Sequence, residues 1–195
     1  MMVLNRNPIA TMTMKSGNKI VIELIPKEAP NAVSCFIDLA QRGLFDNRVI
    51  KRIAPDFVLQ PTYDSFERDP ECNVALNGEF RKNGFENNLK IEKGVVALGG
   101  DGLKMSGGSC FFITLSDEAG KRLDGKYDGK YTGFGRVIKG YEEVERIVSV
   151  ETKSIDVGIK GVVINEPVVP EIIEKIEVET FGITYDKPVI IGVAD

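Results

Sequence analysis

A chain of 195 residues, 43% hydrophobic and 28% charged, is sized and composed for one globular domain, expected to span residues 1–195. Histidine is absent, which excludes Ser-His-Asp and Cys-His nucleophilic catalysis and histidine-ligated metal sites, and leaves no side chain that ordinarily titrates near neutrality. A net charge of −4 with scattered Lys and Arg offers no basic face for nucleic acid. No segment approaches the roughly 20 apolar residues of a membrane span, so a membrane is not an expected partner either.

The first ten residues, MMVLNRNPIA, hold no apolar run long enough for a signal peptide, and a cytoplasmic location is expected. Residues 9–14 and 19–25 have period-two character and are broken by Ser16-Gly17-Asn18, which predicts a β-hairpin. The period then changes. Ala32, Cys35, Phe36, Leu39 and Ala40 recur at helical spacing, Pro30 suits the first turn and Gly43 the stop, so a helix with one apolar face follows. Short runs rich in Val, Ile and Phe around 48–60, 94–98, 110–115 and 133–138 are predicted strands. GYEEVERIVSV supplies a second helix, with Tyr141, Val144, Ile147 and Val148 on one face, and EIIEKIEVET a last strand. The segment NEPVVPE between them reads as a connection within the domain. Two helices among about eight short strands predict a mainly β, closed or nearly closed sheet with helices covering its ends.

Two segments invite ligand readings that their chemistry does not support. The glycine-dense GGDGLKMSGGS, residues 99–109, lacks the G-K-[ST] of a phosphate loop, and CFFITL after it is a strand rather than a helix whose N-terminus would hold the anion. In DGKYDGKY, residues 124–131, the aspartates stand four apart and the lysines would repel a cation, so the calcium-loop signature fails. Cys35, Cys72 and Cys110 are odd in number, far apart and without a C-x-x-C pair, and are expected as free thiols. Neither a metal nor a cofactor is expected.

The stretch VIKRIAPDFVLQ, residues 49–60, is harder to dismiss. On an alternating strand Ile50, Arg52 and Ala54 share one face, which sets an always-charged guanidinium on a partly apolar surface. Taken singly, Arg52 reads as an edge-strand arginine with a packed stem, Phe57 and Phe112 as core, and Gln60 as solvated. Their order and company say more. Arg52, Ile53, Pro55, Phe57 and Gln60 resemble, in spacing, the signature of the cyclophilin-type peptidyl-prolyl isomerases. KGVVALGG, GGSCFFITL, LDGKY and YTGFGRVIKGYEEVERI resemble later segments of that family, and KEAPNAVSCFIDLAQRGLFDN its first helix. The resemblance covers roughly residues 8–180 in consistent order.

This resemblance implies a closed antiparallel eight-stranded β-barrel with two capping α-helices, acting as a monomer on X-Pro bonds of proline-containing peptides and client proteins. It implies three catalytic positions, Arg52, Phe57 and Gln60. Arg52 would donate to the prolyl nitrogen of the twisted amide, and Gln60 would hold a substrate carbonyl. Phe57, Phe112 and Leu123 would form the slot for the proline ring, with Gly99, Gly100, Cys110 and Tyr131 lining the rest of the groove. Several positions depart from the family pattern: Gly100 replaces an asparagine, Cys110 a glutamine, Arg122 an aromatic residue, Tyr131 a histidine, and Pro61-Thr62 a glycine pair. Strand alternation sets Cys110 and Phe112 on one face, so the thiol is expected to open toward the groove. The alternative is a proline-binding module on the same fold: Arg52 favours the enzyme, the altered groove residues the module.

Overall fold

Burial alternates along the start of the first strand, where Ala10 and Met12 are fully buried and Ile9 and Thr11 only partly so, because one face of a pleated strand packs on the core while the other meets solvent. The computed structural model describes residues 6–61, 71–100, 104–126, 129–156 and 163–193. Thr62, residues 101–103 of the glycine-dense stretch and residues 127–128 of the repeat lie outside them.

The strands are β1 (Ile9–Met14), β2 (Lys19–Leu24), β3 (Arg52–Ala54), β4 (Val58–Gln60), β5 (Val74–Asn77), β6 (Val95–Gly100), β7 (Met105–Thr114), β8 (Thr132–Lys139), β9 (Thr152–Asp156), β10 (Val163–Pro167), β11 (Ile173–Glu179) and β12 (Gly192–Val193). The helices are α1 (Pro30–Gln41), α2 (Asp117–Lys121), which runs on into a π-helical turn at Arg122–Lys126, and α3 (Tyr141–Val148). Eight strands form a curled antiparallel path, β11-β1-β2-β8-β6-β7-β4-β3; β5 branches from β7 and carries β12, while β9 and β10 form a separate hairpin.

The expected closed barrel is instead an open half-barrel. Its end strands, β3 and β11, share no ladder, and among the described residues a one-residue bridge between Val49 and Ile172 spans the seam. The reason is local. The run 48–60, expected as one strand, is cut by a turn at Ala54–Phe57 with Asp56 in the left-handed region at φ 59°, so three residues remain for the edge. β10 packs along that edge, with Lys51 Nζ 3.7 Å from Glu166.

Further departures have similar causes. α2 makes a third helix, announced only by Ser116, whose hydroxyl accepts from Ala119 N at 3.0 Å, and by Asp117 and Glu118 in the first turn. β7 begins at Met105, five residues before the expected strand. Its glycines answer to packing: a Cβ on Gly108 would lie 2.7 Å from Val74 Cγ2 and 2.8 Å from Cys35 Sγ. NEPVVPE is not wholly a connection, since β10 includes its first three residues.

The main core fills the curl under α1 and α3. The Phe36 ring of α1 meets Phe45, Phe111 and Phe134 at centroid distances of 5.0, 5.5 and 5.4 Å. Alternation along β7 sends Phe111 and Ile113 into this core and Phe112 into a second cluster on the opposite face, with Val58, Val95, Ala97 and Leu123. Pro30 opens α1 with no side-chain cap from Ala29. The buried Glu79 supplies one from 48 residues away, accepting from Asn31 N at 2.9 Å and Ala32 N at 2.8 Å. Burial raises the pKa of this carboxyl, and the two backbone donors oppose that rise.

Candidate active site

The turn that opens the barrel also builds the site. Folding residues 52–60 into a hairpin makes Arg52 and Gln60 cross-strand partners, Ile53 opposite Leu59 and Ala54 opposite Val58. Ile53 and Leu59 enter the main core, so Arg52, Ala54, Val58 and Gln60 stand on the other face. Arg52 Nη1 donates to Gln60 Oε1 at 3.2 Å, and Gln60 Nε2 donates to Cys110 Sγ at 3.0 Å. Gln60, solvated in isolation by type, is only 6% exposed. Its amide links the guanidinium of one strand pair to the thiol of β7.

Gly99 and Gly100 end β6 beside this chain. A Cβ on Gly99 would lie 3.1 Å from Cys110 Sγ, and one on Gly100 would lie 2.2 Å from the Met105 carbonyl oxygen. Only backbone fits at Gly100. Cys110 is partly exposed whereas Cys35 and Cys72 are buried, and all three are free thiols. The thiol of Cys110 thus lies on the Phe112 side of β7, as alternation requires. Burial pushes the Cys35 thiol up to about 12.

The apolar half of the site is the second cluster. Phe112 and Leu123 are buried in it, and Phe57, Ala54 and Tyr131 pack on its rim. The Tyr131 ring meets Phe112 edge-on at 5.4 Å and 88°. One residue that sequence reasoning missed ties the halves together. Ser116 Oγ donates to the Asp56 carbonyl oxygen at 2.7 Å while capping α2, and Leu115 N donates to Phe57 O at 3.0 Å. The tip of the hairpin is thereby joined to the helix whose π-helical continuation delivers Leu123. The signal was present as Ser-Asp-Glu-Ala, a helix-start pattern, but five residues without an apolar stripe gave it no period. Arg122, in the same turn, lays its guanidinium over Phe57, with Cζ 4.8 Å from the ring centroid.

Eight of the nine positions expected at the site thus fall in two joined sets: Arg52, Gln60, Cys110 and Gly99, and Phe57, Phe112, Leu123 and Tyr131. Gly100 lies next to them at the end of β6, paired with Ser106. Among the described residues no group of three or more His, Cys, Asp or Glu could hold a metal ion, and no helix is long and apolar enough to cross a membrane.

A family model described as cyclophilin type peptidyl-prolyl cis-trans isomerase/CLD matches residues 9–177. The chain belongs to the cyclophilin family. Among relatives of this cyclophilin, peptidyl-prolyl cis-trans isomerase-like 1 of Aspergillus niger is 33% identical over 151 residues, 75% of this chain and 86% of that one. Peptidyl-prolyl cis-trans isomerase A of Dickeya dadantii is 30% identical over 146 residues, 74% and 73% of the two chains. The crystal structure of a cyclophilin type peptidyl-prolyl cis-trans isomerase from Cryptosporidium parvum superposes with a TM-score of 0.69 at 20% identity, covering 89% of this chain and 98% of that chain. The half-barrel is therefore the cyclophilin fold, and the hairpin holding Arg52 and Gln60 lies within the segment that the family model matches.

Proposed function

We propose that this cyclophilin isomerises X-Pro bonds of proline-containing peptides and client proteins, with the proline ring held by Phe57, Phe112 and Leu123 while Arg52 acts on the prolyl nitrogen. The barrier to be lowered, about 18–20 kcal/mol, comes from amide resonance. Twisting the bond localises a lone pair on nitrogen, and a donor aimed at that lone pair binds the twisted state better than either planar isomer. Arginine suits the task because it stays charged and keeps donors to spare. Here one nitrogen is engaged by Gln60, which fixes the fork beside the apolar slot. That pairing is the observation on which the reading rests. Gln60 contributes by orienting Arg52 and a substrate carbonyl, Phe57 by fixing the ring, and Gly99, Gly100, Cys110 and Tyr131 by shaping the groove. The reading includes a monomer, and a cytoplasmic location with which three thiols that form no disulfide agree.

The Arg122 guanidinium over Phe57 favours a second reading, a proline-binding module with little turnover. Exchange NMR on an Ala-Pro tetrapeptide separates the two. Isomerisation by the native protein, falling about 10²–10³-fold in Arg52→Ala with peptide affinity nearly kept, supports the enzyme. Peptide binding without accelerated exchange supports the module, and native turnover in Arg52→Ala overturns the role given to Arg52.

A further inference from the structure

The acidic side chains around Arg122 are already engaged. Asp117 accepts from Lys93 N at 3.0 Å, Glu118 pairs with Lys121 at 3.3 Å, and Asp124 pairs with Arg81. Asp56, exposed at the hairpin tip, forms no ion pair with it, and Arg122 has no salt bridge among the described residues. An exposed guanidinium that, among the described residues, lies over the face of Phe57 and pairs with no carboxylate therefore stands at the slot proposed for the proline ring. Its placement is not left to a wandering surface side chain. Its backbone lies in the π-helical turn that follows α2, and Ser116 fastens α2 to the hairpin that carries Phe57.

We infer that Arg122 is a specificity-determining residue, giving this cyclophilin a preference for substrates that carry a carboxylate side chain on a residue flanking the proline. A chain of net charge −4 would otherwise repel such peptides. Arg122 supplies a local positive charge where the flanking residue passes, and the ring of Phe57 removes water from one face of the guanidinium. A lysine at the same substrate position meets like charge. The inference rests on the proline slot proposed above.

The test uses the full chain and exchange NMR on three peptide sets with Glu, Ala or Lys immediately before or after proline. The Glu-to-Lys ratio of kcat/KM is taken within each variant, so that a change in overall rate cancels. Native protein should favour Glu at one of the two positions by about two- to five-fold, the range of a partly exposed ion pair. The ratio should shrink as salt rises. Arg122→Lys should keep part of it, Arg122→Ala should bring it to about one, and Arg122→Glu should invert it. A native ratio of one at both positions, or the same ratio in native protein and Arg122→Ala, overturns the inference. Isomerisation of the Ala peptides with no acidic preference defeats this inference alone. No isomerisation of any peptide defeats the isomerase reading beneath it.

Discussion

Cys110 is a single side chain whose environment decides its chemistry. Its sulfur accepts from Gln60 Nε2 and touches the position where Gly99 lacks a Cβ, so it belongs to the polar chain that begins at Arg52. Of the three thiols it is the only one not buried, and Cys35, with its pKa pushed up to about 12, stays protonated under ordinary conditions. A small alkylating reagent at mildly alkaline pH should therefore modify Cys110 first. Excess proline peptide should slow the reaction, and the adduct should lower isomerisation by pushing Gln60 away from Arg52. Mass spectrometry of the digested protein checks the site of the adduct, and residual exchange activity checks its effect. Modification at an unchanged rate with peptide present would detach the thiol from the groove.

At the scale of elements, the short polar links do as much as the apolar faces. Glu143 of α3 is 3% exposed, yet it accepts from Asn18 Nδ2 at 2.8 Å and from Ser16 Oγ at 3.2 Å in the β1–β2 turn. Arg146 binds it at 2.8 Å and reaches Glu171, just before β11, at 2.7 Å. The Arg146 guanidinium holds the Glu143 carboxyl below its ordinary value of 4.5. A carboxylate with a depressed folded pKa stabilises the protein above its ordinary value, and that stability is lost as pH falls through the depressed one. Glu143→Gln should thus lower the melting temperature at pH 7, and the gap from native protein should close as thermal unfolding is followed down toward pH 3. A gap that persists in acid would assign the loss to packing instead. Such long-range links are what the sequence does not display. Period and glycine placement made β1, β2, α1, α3 and β11 legible, because each buries one regular face. β5 and β12 are too short for a period, α2 has none, and the hairpin inside 48–60 hides in a run apolar enough for one strand. The candidate site was nevertheless suggested by family resemblance. Arg52, Phe57 and Gln60 carry the spacing of a motif, whereas Ser116 reaches the hairpin through a contact made 60 residues away.

For the whole molecule, the absence of histidine becomes a statement about the reaction. Amide rotation transfers no proton, the proposed donor is an arginine, and no side chain that ordinarily titrates near neutrality exists in the sequence. The pH profile of kcat/KM should be flat to within about twofold from about pH 6 to 8, measured by exchange NMR on an uncharged peptide. An inflection in that window, abolished by Cys110→Ala, would show a thiolate at work. The place of β1 in the sheet has another kind of meaning. β1 lies between β2 and β11, with Ile9 opposite both Glu23 and Glu179. One side of that strand finds its partner within the first two dozen residues, and the other waits for almost the whole chain. On a translating ribosome, β1 must keep a bare hydrogen-bonding edge exposed until β11 arrives. Over that interval the unpaired edge of β1 is the part of the nascent domain most open to mispairing.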